Sequence, residues 1–161
     1  MRSRNWRIGV GAVLCVGLCL HAGVSYAQTG VTPGAFAKGY TPTDQACLQY
    51  KGASVYNSHC AGFANIEIPV ITSAATAGNY SASMSVYSNG NGSVQCQAVM
   101  VSGIDETQIS ITAVKSSTGV GFSGSLSLGT LALSGLSYVT YFNCAVAPNA
   151  GIVNVFFAGS P

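Results

Sequence analysis

The residues that could take part in catalysis are few and poorly arranged for it. His59 adjoins Cys60, and a cysteine–histidine nucleophile needs a free thiolate within reach of the imidazole. We expect Cys60 to be in a disulfide, and neighbours on a strand point to opposite faces. Asp105 and Glu106 are adjacent carboxylates in an expected turn, where two groups rarely converge on one cleft. The sequence therefore predicts no catalytic residue.

Other signatures of enzymes and cofactor sites are missing from the sequence. The many serines form no G-x-S-x-G motif, and the glycines in residues 119–124 do not precede a helix as in a phosphate-binding loop. Glu67 alternates with apolar residues, which suits an outward charge on an edge strand. We predict a protein that is not an enzyme, with no cofactor and no metal site.

The cysteines predict a disulfide framework. Two of the six lie within the first 27 residues, and the other four are Cys47, Cys60, Cys96 and Cys144. An even number of cysteines in an exported protein predicts two disulfides, whereas zinc needs closer cysteine pairs or more histidines. Cys47 and Cys60 flank a short segment. Cys96 and Cys144 both occupy inward positions on expected strands. Of the three possible pairings, we therefore predict Cys47–Cys60 and Cys96–Cys144.

The first 27 residues have the organisation of a secretory signal peptide. Three arginines precede an uncharged apolar run at residues 8–20, which is too short to span a bilayer. Ser25 and Ala27 occupy the −3 and −1 positions of a small-residue cleavage site. We predict cleavage between Ala27 and Gln28, a secreted or periplasmic location, and no membrane span in the mature chain.

Charge is scarce in this 161-residue chain. Only 6% of the residues are charged, 48% are hydrophobic, and the formal net charge is +2. The hydrophobic content excludes a disordered chain. All the arginines lie in the predicted signal peptide, so the mature chain has three lysines against four carboxylates, a net charge of −1. It has no basic surface of the kind that binds nucleic acid.

Residues 28–45 show neither helical nor strand periodicity and are interrupted by proline and glycine. They predict an extended N-terminal arm ahead of a single disulfide-stapled β domain at residues 46–161. Val31, Phe36 and Tyr40 would be exposed on such an arm and available to a protein partner or a second copy of the chain.

Polar and apolar residues alternate with a period of two along most of the remaining chain. Residues 66–70, 109–113 and 138–157 predict strands, and residues 80–101 predict a β-hairpin around an Asn/Gly turn. Residues 119–133 are expected to hold two short strands. A single sheet cannot bury its apolar face, so seven or eight strands predict an all-β antiparallel sandwich, with a small closed barrel as the alternative.

Three short motifs resemble a group of uncharacterised exported two-disulfide β-proteins of bacteria. They are Tyr56-Asn57 ahead of Cys60, V-Q-C ending at Cys96, and N-C-A-V-A-P at residues 143–148. The resemblance implies a two-disulfide β-fold and no catalytic residue.

The sequence identifies no ligand. Sugar sites often use aromatic rings, but the only tryptophan, Trp6, lies in the predicted signal peptide. Tyr87 and Tyr141 fall on outward strand positions, where tyrosines are common on ordinary protein surface. We therefore predict an exported, non-enzymatic structural or interaction protein of the bacterial periplasm, cell surface or medium. The alternatives are a pilin-like fibre subunit completed by strand exchange and a small binding or inhibitor module.

Overall fold

Alternation of polar and apolar residues turns one face of each long strand toward a common core. A computed structural model describes residues 29–70, 78–88, 92–102, 109–117, 122–133 and 138–160. Its strands are β1 (Thr29–Pro33), β2 (Lys38–Gly39), β3 (Leu48–Lys51), β4 (Ser54–Asn57), β5 (Ala64–Pro69), β6 (Gly78–Ser88), β7 (Val94–Ser102), β8 (Ile109–Ile111), β9 (Lys115–Ser116), β10 (Phe122–Leu133), β11 (Tyr138–Val146) and β12 (Ala150–Ser160). A 3-10 turn (Gly34–Phe36) and helix α1 (Pro42–Ala46) lie between the early strands.

The described strands form two antiparallel sheets of six strands each. Sheet A has the order β10-β6-β12-β4-β3, and β1 also pairs with β12. Sheet B has the order β2-β5-β11-β7-β8, and β9 also pairs with β7. The predicted β-sandwich is confirmed, and the closed barrel is not formed. The strands outnumber the expected seven or eight because several contain only two to five residues.

The core lies between the two sheets and receives the inward side chains of both. Alternation is strict on β6, where Tyr80, Ala82, Met84 and Val86 are buried and the residues between them are more exposed. The largest fully buried side chains are Phe142, Phe157, Ile66, Ile68, Met84, Met100, Leu128, Leu131, Ile152, Val55, Val94 and Val146. Both sheets therefore contribute to one hydrophobic core.

The expected hairpin at residues 80–101 is wrong, because its two strands lie in different sheets. β6 pairs with β10 and β12 in sheet A, whereas β7 pairs with β8, β9 and β11 in sheet B. Alternation shows that each strand buries one face, but it does not distinguish strands side by side from strands facing each other across a core. The expected turn residues 89–91 lie outside the described residues.

Residues 119–133 also differ from the expectation of two short strands. One strand, β10, pairs with β6 from Phe122 to Leu133. A bulge between Ser127 and Gly129 shifts the register, and Gly129 has a φ of 104°. The bulge lets the strand continue where the sequence pattern is interrupted.

The prediction that residues 28–45 form an extended arm without regular structure is corrected. β1 pairs with β12 along its whole length, and α1 begins at a capping box formed by Thr41 and Asp44. A five-residue strand and a five-residue helix are too short to show a period in the sequence. Val31 and Phe36 are exposed, as expected, but they belong to segments attached to sheet A.

Two disulfides connect the cysteine pairs that the spacing predicts. Cys47–Cys60 joins the end of α1 to the segment before β5, with Cα atoms 5.0 Å apart. Cys96–Cys144 joins directly opposite residues of β7 and β11, with Cα atoms 4.2 Å apart. No helix in the described part of the chain is long and apolar enough to cross a membrane.

The C-terminal strand occupies the middle of its own sheet. β12 pairs with β6 on one side and with β1 and β4 on the other. A pilin-like subunit completed by strand exchange instead needs an open position in the sheet. The observed pairing of β12 thus does not favour that alternative.

We predict that Gly34→Ala lowers the free energy of unfolding by about 1–3 kcal/mol, the usual cost of overpacking. A Cβ at Gly34 would clash with the carbonyl oxygen of Ile152 and lie 2.9 Å from its carbonyl carbon. Gly62→Ala is the matched control, because a Cβ there meets nothing within 4 Å. Chemical denaturation measures both variants. Equal stability of the two would show that the segment after β1 does not pack on β12.

We predict that replacing each disulfide by two alanines costs stability, and that the loss is larger for the longer loop. The loss should be about 3 kcal/mol for Cys47–Cys60 and about 4 kcal/mol for Cys96–Cys144, because the bridged residues are 13 and 48 positions apart. Chemical denaturation of the two double variants tests the order. A larger loss for the shorter loop would contradict the chain-entropy explanation.

Candidate functional site

A groove of about 410 Å³ lies on the outer face of sheet B, turned away from the core. Its floor is formed by the neighbouring strands β5, β11 and β7. The side chains that point into it from these strands are uncharged, and most are amides: Asn65, Asn143, Ala145, Gln95 and Gln97. In the sheet register, Asn143 lies between Gln97 and Glu67, while Ala145 lies between Asn65 and Gln95. The floor thus presents two adjacent rows of amide groups, and Glu67 continues one of these rows beyond the lining residues.

One wall of the groove is the segment from Tyr40 to Asp44, which is attached to the edge of β5. The backbone N–H of Tyr40 donates to the carbonyl oxygen of Asn65 at 2.9 Å. The Asp44 carboxylate accepts the backbone N–H of Asn65 at 2.8 Å through Oδ1. Two hydrogen bonds to one residue hold the wall beside the floor.

Asp44 is buried and also organises the start of α1. Its Oδ2 accepts the Thr41 hydroxyl at 2.7 Å, and its backbone N–H donates to Thr41 Oγ1 at 3.1 Å. The hydrogen bond from the Asn65 N–H lowers the pKa of the Asp44 carboxyl, and the Thr41 hydroxyl lowers it further against the opposing effect of burial. Asp44 is therefore ionised, and both of its carboxylate oxygens already accept hydrogen bonds from neighbouring residues. Its role is structural, because it holds the wall in place.

The other wall carries Val114 and is attached to the edge of β7. Thr112 pairs with Ala98 of β7 much as a neighbouring strand would. Its backbone N–H donates to the Ala98 carbonyl oxygen, and its side-chain Oγ1 accepts the Ala98 N–H. Ser117 makes the same reciprocal pair with Val94. These bonds fix residues 112–117, including the exposed Val114, beside the groove.

Asn143 carries an unsatisfied polar group at the centre of the floor. Its Oδ1 is buried and has no hydrogen-bond partner among the described residues. Leaving a buried acceptor unpaired costs about 1–3 kcal/mol. Such a group in a groove is a candidate for pairing with a ligand.

Two tyrosines lie on this side of sheet B, and one of them, Tyr40, lines the groove. Tyr40 is 61% exposed, and Tyr141 shares the outer face of β11 with Asn143. Burial raises the pKa of the Tyr141 hydroxyl, and the neighbouring Tyr40 and Glu67 raise it further. The Tyr141 hydroxyl therefore stays protonated and able to donate at neutral pH.

The residues first considered for catalysis are not brought together. His59 is exposed beside Cys60, which is bonded to Cys47. Asp105 and Glu106 lie outside the described residues. Within the described part of the chain, no three His, Cys, Asp or Glu side chains are grouped closely enough to hold a metal ion.

Sequence reasoning found the outward positions but not the groove. Tyr141 and Tyr87 are on outer faces, as predicted, and both are half-buried. The alternation of Gln95 and Gln97 with buried residues was a visible signal for two polar groups on one face. Their proximity to Asn65 and Asn143 depends on the order of the strands in sheet B, which the local pattern does not specify.

No protein-family model matches the chain, and no curated protein matches it by sequence. Its fold is similar to that of the C-terminal CBM6 of LamC, a marine laminarinase from Zobellia galactanivorans. That match has 13% sequence identity and a TM-score of 0.52, and it covers 80% of this chain and 98% of the other. The similarity supports the β-sandwich fold.

Two further structures resemble the chain with lower TM-scores. A carbohydrate-binding module, CBM6cm-2, from Cellvibrio mixtus lichenase 5A in complex with cellotriose has 14% identity and a TM-score of 0.49, with 81% of this chain and 97% of that chain covered. The GH26-CBM35 β-(1,4)-mannanase of Podospora anserina has 15% identity and a TM-score of 0.45, with 83% and 28% covered.

We predict that Asp44 makes the protein less stable in acid. Its folded-state pKa is lowered below the value of about 3.9 for an unfolded chain. The ionised group therefore stabilises the fold above about pH 4, and this contribution is lost as the pH falls through the folded pKa. Asp44→Asn should be less stable than the wild type at pH 7, and its stability should fall less between pH 4 and pH 2.

Chemical denaturation at several pH values measures both proteins. An equal acid-induced loss of stability in the wild type and in Asp44→Asn would contradict the assignment of Asp44 as the anchor of the wall.

Proposed function

We propose that the groove on sheet B binds a neutral carbohydrate and that the protein is a non-catalytic binding module. The observation that carries this proposal is the floor, where four amide side chains from three adjacent strands line the groove. Among the described lining residues the only charged one is Asp44, which is hydrogen-bonded to Asn65 and Thr41. Each amide has both donors and acceptors, so it can either donate a hydrogen bond to a sugar hydroxyl group or accept one from it. Ionic ligands would be expected to require charged partners.

The unpaired Oδ1 of Asn143 supports a ligand rich in hydroxyl donors. Asn143 lines the groove, and a ligand hydroxyl group that reached its Oδ1 would donate to it. Pairing on binding removes the cost of an unsatisfied buried group. An apolar ligand would leave that cost in place.

The tyrosines supply apolar surface beside the amides. Tyr40 is exposed at the wall and offers a ring face on which the C–H face of a pyranose can pack. The protonated hydroxyl of Tyr141 adds a donor on the same sheet face. In this proposal the Tyr40 ring takes the sugar-stacking role that tryptophan often has, since Trp6 would be lost with the signal peptide.

The groove is better suited to binding than to hydrolysis. Glycoside hydrolysis usually needs two carboxyl groups about 5–9 Å apart across the bond that is cleaved. Asp44 is the only carboxylate among the described residues that line the groove, and it is bonded to Asn65 and Thr41. The similar fold of a CBM6 from a laminarinase supports the same class of function.

We also propose that the chain is exported, with residues 1–27 as a cleaved signal peptide, to the bacterial periplasm, cell surface or medium. Two disulfides support an oxidising compartment. A carbohydrate-binding module in that location would meet polysaccharides outside the cytoplasm.

We predict that Gln97→Ala and Asn143→Ala each weaken the binding of a neutral polysaccharide by about 5–20-fold, the effect of losing one or two hydrogen bonds. Affinity electrophoresis against a β-1,3-glucan, a β-1,4-glucan and a β-1,4-mannan measures binding, and thermal melts check that the variants fold. Wild-type protein should bind at least one of the three.

Ser83→Ala is the matched control, because Ser83 lies on the outer face of sheet A, on the opposite side of the sandwich. This variant should bind as the wild type does. Failure of the wild type to bind any of the three polysaccharides would overturn the proposal. So would an equal loss of affinity in Ser83→Ala.

A further inference from the structure

A second concave feature, which we call the aromatic corner, lies on sheet A. Tyr56 of β4 and Tyr87 of β6 are the register partners of Gly151 on β12, one on each side. Their ring centroids are 6.0 Å apart and their planes meet at 77°. The two rings thus form a perpendicular pair over the middle strand.

Gly151 creates the space in which the Tyr56 ring lies. A Cβ at this position would be 2.8 Å from Tyr56 Cε1 and 2.6 Å from the carbonyl oxygen of Val55. Only glycine allows the ring to rest against the backbone of β12. The Tyr56 ring consequently packs against the β12 backbone, and the Tyr87 ring lies nearly perpendicular to it.

Polar side chains surround the rings. The cavity has a volume of about 310 Å³, which is room for a single sugar ring, and its rim includes Gln49, Lys51, Ser58 and Asn149. The turn that carries Asn149 is fixed, because the Asn149 N–H donates to the carbonyl oxygen of Asn57 at 2.7 Å. Gln49 lies directly opposite Tyr56 in the sheet.

The charge of the corner differs from that of the groove on sheet B. Lys51 is exposed, and the described residues that line the corner include no carboxylate. The groove has the opposite composition, with Asp44 and no lysine or arginine among its lining residues. The corner therefore favours an anionic group, which the groove does not.

We propose that Tyr56, Tyr87 and Lys51 form a second binding site for a single pyranose that carries a carboxylate or sulfate group. The sugar ring packs in the angle between the tyrosines, Lys51 pairs with the anionic group, and Gln49 and Asn149 bond the hydroxyls. The site lies on the opposite outer face from the groove. Its ligand chemistry follows from its own residues and does not depend on the neutral-carbohydrate proposal.

The test is an NMR titration of the full mature chain with glucuronate, glucose 6-sulfate and glucose at low ionic strength. With the anionic sugars, amide signals of Tyr56, Tyr87 and Lys51 should shift, while those of Gln97 and Asn143 should not. At least one anionic sugar should bind about 3–5-fold more tightly than glucose, the contribution of one exposed ion pair. The comparison of glucuronate with glucose 6-sulfate identifies the preferred anion, and added salt should weaken that preference.

Lys51→Gln should remove the preference for the anionic sugar while leaving the protein folded. Lys115→Gln is the matched control, since it makes the same change in net charge on an exposed lysine of sheet B. Tyr87→Ala should weaken both anionic and neutral sugars, with the thermal melt as the check of folding. Equal affinity for glucose and both anionic sugars overturns the proposal. So does a loss of the anionic preference in Lys115→Gln as large as that in Lys51→Gln. Chemical-shift changes confined to the residues of the groove overturn it as well.

Discussion

The rest of sheet B depends on the pairing of β7 with β11. On both strands inward and outward side chains alternate, and the disulfide between Cys96 and Cys144 joins the two strands. These cysteines are direct cross-strand partners that face the core. A slip of one residue would bring the amides inward and the core side chains outward. Burial and the disulfide therefore specify the same register, and that register places Gln97 opposite Asn143 on the outer face.

The groove is shaped by groups that are hydrogen-bonded to the edges of its floor. Asp44 attaches one wall to β5 through Asn65, while Thr112 attaches the other to β7 through Ala98. In both cases a side-chain oxygen accepts a hydrogen bond from a backbone N–H of the sheet. In a longer edge strand, a backbone carbonyl would have accepted that bond. The walls thereby narrow the sheet face to a groove, which Asn143 lines with its unpaired Oδ1.

The two outer faces of the sandwich have different chemistry despite their common core. Sheet B presents amides beside a buried carboxylate, and sheet A presents two perpendicular tyrosines beside Lys51. Each surface depends on a small number of residues that a shared fold does not specify. The similar sandwich of a laminarinase CBM6 is a likeness of fold, whereas the chemistry of each surface depends on the residues of this chain.

The sequence by itself determined the β-sandwich class, the inward and outward faces of its strands, and the disulfide pairs, because these follow from a local period of two and from cysteine spacing. It did not determine which strands pair. β6 and β7 were expected to form a hairpin but belong to different sheets, and β1 was expected in a free arm but pairs with β12. Only the tertiary structure brought Asn65 near Gln97, or set Gly151 between Tyr56 and Tyr87, because those neighbours lie on strands far apart in the chain.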